Sequence, residues 1–141
     1  MNMDKDHVVL SWVSLILRIA MASMFAVASL MKFTMGLENA AAYIVDMFKD
    51  TFLPVGLVSI YAHVIPFVEA AITLWLLIGV RLREAWIFTA FVMISLAFGM
   101  VVTKQFGTAS SNYFYVAMAC MGIYLSRYDH CALGSSCCKK K

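Results

Sequence analysis

Two residues of opposite charge stand where charge is costly: Arg18 within the apolar run 8–31 and Glu69 within the apolar run 56–80. An ionised side chain at the centre of a bilayer-crossing helix costs roughly 2.5–3.5 kcal/mol, so each needs a reason to be there. Arg18 lies ten residues from the inner end of its run and Glu69 eleven residues from the inner end of its own. At about 1.5 Å per residue, both fall roughly 15–17 Å from one boundary of the membrane. A guanidinium can meet a carboxylate through two parallel hydrogen bonds, and the matched depths predict that Arg18 and Glu69 touch. Such a pair either pins two helices together or lines a polar pocket that binds a ligand headgroup or handles a proton.

The neighbours of these two residues are the pocket candidates. Ser11, Ser14, Arg18, Ala22, Phe25, Ser29 and Lys32 recur at steps of three or four, giving one small or polar stripe along the first helix. Thr73 shares a helical face with Glu69, and Ser14, Lys32 and Thr73 therefore join the candidate pocket. His63 precedes Glu69 by six residues, which turns it about 120° away and about 9 Å further out. It reads either as a hydrogen-bonded packing residue or as a group that meets a quinone carbonyl or a proton. Ser95, Gly99 and Thr103 have the spacing of a small-residue helix contact. In the tail, His130, Cys131, Cys137 and Cys138 are weak metal or thiol candidates. Their spacing matches no paired CxxC pattern, so no metal site is expected; acylation of a cysteine is the other reading.

The elements that must position these groups follow from composition. Of 141 residues, 63% are hydrophobic and 13% charged, against roughly 45–50% and about 25% in soluble domains. That balance excludes an ordinary soluble enzyme and a nucleic-acid-binding module, and no nucleic acid is expected among the partners. Four stretches have the length to cross a bilayer, at about 8–31, 56–80, 85–102 and 109–125. The fold class predicted is all-α, an integral membrane antiparallel four-helix bundle. Residues 1–128 form the single transmembrane domain and 129–141 a cytoplasmic tail rich in Cys and Lys. Ala26-Val27-Ala28 looks like a cleavage site, but the leading Asp4-Lys5-Asp6 is not net positive, so the first run is expected to remain as a helix.

Positive charge orients the chain. With both termini in the cytoplasm, seven basic residues (Lys5, Arg81, Arg83, Arg127, Lys139, Lys140, Lys141) lie inside and three (Lys32, Lys49, Lys104) outside. In the outer loop between the first two spans, Leu37, Ala41, Ile44, Phe48 and Phe52 recur at helical spacing, and Pro54 would stop the helix. This predicts one short amphipathic helix, either a lid over an opening between spans or a helix resting on the outer membrane surface.

The runs Leu17-Arg18-Ile19-Ala20, Ser29-Leu30-Met31-Lys32-Phe33 and Pro66-Phe67-Val68-Glu69-Ala70-Ala71, with Leu76 to Arg83 behind the last, resemble the first two helices of the DoxX family. That resemblance implies a small four-helix protein of a bacterial or archaeal cytoplasmic (inner) membrane, with Arg18, Lys32 and Glu69 as the positions to watch. It also implies kinship with the membrane subunit of a thiosulfate:quinone oxidoreductase and with proteins of thiol redox maturation. The function expected is a membrane subunit or accessory protein of a quinone-linked or thiol-linked redox complex. If enzymatic, it would be part of a quinone-linked oxidoreductase, with quinone as the cofactor. The alternatives are a structural or assembly subunit and a small proton-coupled transporter; partners would be the lipid bilayer and other membrane subunits or further copies of the chain.

Overall fold

The computed structural model describes residues 3–128, with side chains from His7 onward. His130, Cys131, Cys137 and Cys138 lie outside the described residues. The order is α1 (Met3–Met35), α2 (Leu37–Met47), α3 (Val55–Ile78), α4 (Leu82–Val102), α5 (Phe106–Leu125) and a single 3₁₀ turn, Ser126–Tyr128. No strand occurs among the described residues.

Three of these helices are long and apolar enough to cross a membrane: His7–Met35 within α1, Val55–Ile78 and Leu82–Val102. The protein is therefore an all-helical membrane protein. The helix expected as a fourth span, α5, is not among these three. The helix α5 has 20 residues, a sufficient length, but Thr108, Ser110, Ser111 and Asn112 in its first half leave it outside that apolar group. Two of these hydroxyls bond back to the preceding turn, Ser110 to the carbonyl of Phe106 at 2.9 Å and Ser111 to that of Gly107 at 3.4 Å. Such bonds lower the polarity of a helix without removing it.

Residue types set the breaks between helices. Gly36, at φ 90°, ends α1 and opens α2 after a single residue. Pro54 does not stop the preceding helix, which has already ended at Met47; it caps α3 instead, a place its missing N–H suits. The amphipathic helix exists but is shorter than its apolar spacing suggests: it stops at Met47, Phe48 already has a non-helical backbone, and Phe52 is exposed. Thr51 supplies the reason, since both its N–H and its hydroxyl bond to the carbonyl of Phe48 and fold the chain into a turn.

The helix α3 closes on Gly79, at φ 76°, whose N–H bonds to the carbonyl of Trp75 at 2.9 Å. A side chain is unfavourable in that left-handed conformation. Gly79→Ala is expected to lower stability by about 1 kcal/mol, read as a reduced melting temperature in detergent; an unchanged midpoint would mean that the turn relaxes freely.

The apolar residues divide into a core and a lipid-facing surface. Met21, Phe25, Ile72, Leu76, Trp86 and Met93 are among the buried set, whereas Trp12, Ile16, Ile60, Phe91 and Phe114 point outward. The helix α1 packs chiefly on α3, and α4 on α5. The second contact depends on Gly122, where an added Cβ would overlap Cδ2 and Cε2 of the Trp86 indole and come within 2.7 Å of Cε3. Small residues permit this approach of helices, which in lipid is held by packing. The indole N–H of Trp86 has no partner among the described residues, so ring packing alone holds it.

Candidate functional site

Glu69 on α3 is almost fully buried, and its carboxylate receives the Lys32 ammonium of α1 through two hydrogen bonds, Nζ to Oε1 at 2.5 Å and to Oε2 at 2.6 Å. The predicted Arg18–Glu69 contact does not form. Arg18, also buried, donates from Nε to the carbonyl of Leu76 at 2.9 Å and from Nη2 to that of Leu77 at 3.0 Å. It thus meets α3 at the last turn of that helix, seven residues beyond Glu69, or roughly 10 Å away.

The direction of side chains on a helix explains the exchange of partners. Every Cα–Cβ bond leans toward the N-terminus of its own helix. In the antiparallel pair α1 and α3, Glu69 therefore leans toward the start of α3, while Lys32 leans back along α1 to meet it. Arg18 leans the opposite way from Glu69. It reaches terminal carbonyls of α3 that have no amide partner within the helix and that carry the negative end of its dipole.

The remaining candidates separate. Thr73 lies beside the pair and donates to the carbonyl of Glu69 at 2.9 Å. Ser14 is buried one turn from Arg18, at the other end of the α1–α3 contact. His63 faces α2: its Nδ1 lies 2.8 Å from the carbonyl of Ser59, and its Nε2 is 3.7 Å from Glu38 Oε2. Since a carbonyl only accepts, Nδ1 holds a proton and Nε2 is the nitrogen turned toward the carboxylate.

Next to the Lys32 ammonium lies a cavity of about 340 Å³ between α1, α2, α3 and α4. Its walls include Ala28 and Met31 of α1, Tyr43 and Ile44 of α2, and Leu96 of α4. Lys32 brings the only formal charge to its lining. Two of the three ammonium hydrogens are engaged by Glu69, which leaves one donor for a ligand. At the rim, Ser95 donates to the carbonyl of Val92 at 3.0 Å, so Tyr61 donates to Ser95 across their 2.7 Å contact. Phe48, just past α2, closes against Gly99 of α4, where an added Cβ would stand 3.2 Å from the Phe48 ring.

Of this site, sequence reasoning found Lys32, Glu69 and Thr73 and missed the Tyr61–Ser95 pair. It assigned Ser95 only to a small-residue helix contact. Both residues are exposed polar groups in otherwise apolar helices, which is a signal, but nothing in their spacing joins α3 to α4. Among the described residues no three His, Cys, Asp or Glu gather as a metal site.

These features define a polytopic helical membrane protein with a buried cross-helix ion pair and an apolar chamber beside it. Residues 10–112 match the family model of methylamine utilisation protein MauE, and the chain belongs to that family. The match overturns the resemblance to DoxX. The quoted runs are short, and an Arg, a Lys and a Glu set in apolar helices satisfy the general requirement for internally paired charge in any helical membrane protein. No curated protein and no solved structure matches the chain.

Proposed function

We propose that the protein is a membrane accessory protein or subunit of a redox system serving methylamine utilisation, and that its chamber receives a quinone headgroup. The observation that carries the reading is the Lys32 ammonium, fixed by Glu69 and presented to an apolar cavity of about 340 Å³. A quinone is a flat apolar ring whose carbonyls accept hydrogen bonds, and pockets of roughly 300–1,000 Å³ with few, fixed polar groups are typical of small-molecule sites. The family name adds methylamine utilisation, and any oxidation of an amine requires an electron acceptor. The rim at Tyr61 and Ser95 is exposed on the lipid-facing side, which suits a ligand arriving from the bilayer.

In this reading α5 is the fourth crossing, supported by its 20 residues and its long contact with α4. Both termini then lie in the cytoplasm, the protein sits in the cytoplasmic (inner) membrane, and α2 covers the outer end of the chamber. The bias of basic residues toward the α3–α4 turn and the chain ends supports that orientation.

Titration of the purified full-length chain in neutral detergent with a short-chain ubiquinone analogue tests the proposal through quenching of intrinsic fluorescence. Saturable binding is expected, and Lys32→Met with Glu69→Leu, made together, should weaken it about tenfold by removing a charge-assisted hydrogen bond. Absence of saturable binding to the intact protein overturns the quinone reading. The assembly role makes a separate demand: exchanging the pair as Lys32→Glu with Glu69→Lys should then preserve the complex, as judged by co-purification with partner subunits.

A further inference from the structure

The opposite end of the helices carries a second cavity, of about 590 Å³, between the α3–α4 turn and the end of α5. Its lining is basic: Arg81, Arg83 and Arg127 converge there with Tyr124 and Ser126, and Glu84 is the one acidic residue among them. Glu84 is engaged by Arg81. Arg83 and Arg127 have no acidic partner among the described residues, and the Arg127 guanidinium lies over the Tyr124 ring, 5.2 Å from its centre. The ring orients the cation without neutralising it.

Two more features point at the same anion. The helix α4 starts at this cleft with no side-chain cap, because Arg81 occupies the cap position in a left-handed conformation, φ 48°. The Glu84 amide already turns back to the Arg81 carbonyl at 2.9 Å, so the amides of Leu82 and Arg83 are the ones left facing the cleft, at the positive end of the helix dipole. Around the cleft the surface turns apolar at once, with Ile78, Val80 and Met121 exposed. Trp75, on the last turn of α3, donates its indole N–H to the carbonyl of Val80 at 2.7 Å, the placement of an interfacial tryptophan. The basic lining thus sits at the level of lipid phosphates, with apolar surface where acyl chains would run.

We propose that this cleft binds a phosphate group, carried by an anionic phospholipid of the leaflet at this end of the protein. Arg83 and Arg127 grip the phosphate oxygens, the first turn of α4 offers amides, and the acyl chains lie along Ile78, Val80 and Met121. Anionic headgroups occupy basic recesses between helices in this manner, each arginine contributing on the order of 1 kcal/mol near the surface, or about fivefold in affinity. The quinone chamber lies at the far end of α3 and α4, so the two sites stand or fall separately.

Native mass spectrometry of the full chain in neutral detergent, titrated with phosphatidylglycerol, phosphatidylcholine or inorganic phosphate, provides the test. Phosphatidylglycerol is expected to bind in preference to phosphatidylcholine. Arg83→Ala with Arg127→Ala should weaken it roughly 25-fold, and Lys104→Ala at the opposite end should leave it unchanged. Equal binding of the two lipids, or full binding by the double variant, overturns the site. Displacement of phosphatidylglycerol by an equal concentration of inorganic phosphate overturns the lipid as its source. Because these arginines are exposed, the variants test binding without disturbing the packed core.

Discussion

Lys32→Met is expected to destabilise the protein by about 3–5 kcal/mol, because it strands the Glu69 carboxylate inside the helix contact. Glu69 is 2% exposed and has no other cation in reach among the described residues. The reverse variant, Glu69→Leu, is expected to cost less. The Lys32 side chain is 23% exposed, and its four-carbon stem can carry the freed ammonium toward water or the headgroups. Making both changes together should restore most of the loss, since two apolar side chains of similar volume need no partner. Thermal unfolding of the four proteins in one detergent measures the coupling. A double variant as unstable as Lys32→Met, or single variants indistinguishable from the parent, would show that the pair does not join α1 to α3 energetically.

Gly122→Ala is expected to cost at least 1–3 kcal/mol, the usual range for overpacking a dense contact. The added methyl would fall onto the Trp86 ring, and the obstacle is a fully buried indole in place of a flexible chain end. Either α5 moves away from α4 or the ring leaves its rotamer, and each response spoils the larger of the contacts that hold α5. Trp86→Leu alone leaves a void of the kind that costs about 2–4 kcal/mol. In the double variant the alanine methyl enters part of that void, so its loss should fall short of the summed single losses by about 1 kcal/mol or more. Strict additivity in unfolding midpoints would contradict a contact between these two residues.

The two variants differ in how far the sequence announces them. Glu69 is legible because a charge in an apolar run is conspicuous by itself, whereas Lys32 is legible only as the outer end of the small and polar stripe on the first helix and through the family resemblance. Their pairing was not legible. Depth counted from the ends of hydropathy runs assigned Glu69 to Arg18, and that count failed on two points. The helix α1 extends from Met3 to Met35, beyond the run that was counted. Side chains on antiparallel helices also lean in opposite directions, so matched Cα levels do not bring side chains together. Gly122 and Trp86 are less legible still, because a glycine or a tryptophan in an apolar helix has no distinguishing neighbours in the chain. Only the crossing of α4 and α5 gives them a common location.

What this sequence determined alone was the local content: apolar length specifies helices, and with it membrane residence. Pro54 marks a break ahead of α3, and the spacing from Leu37 to Phe52 marks a short amphipathic helix, which the structure ends at Met47. Those properties act within a turn or two of the chain, where hydropathy and backbone preference dominate. The tertiary structure decided which charge answers Glu69. It also brought α2 over a chamber and joined Tyr61 to Ser95, and it gathered Arg81, Arg83 and Arg127 into one cleft. Each of these depends on helix register and side-chain direction, which are set when apolar faces pack against one another. A shift of one turn, about 5.4 Å, leaves the hydropathy pattern unchanged and replaces every partner.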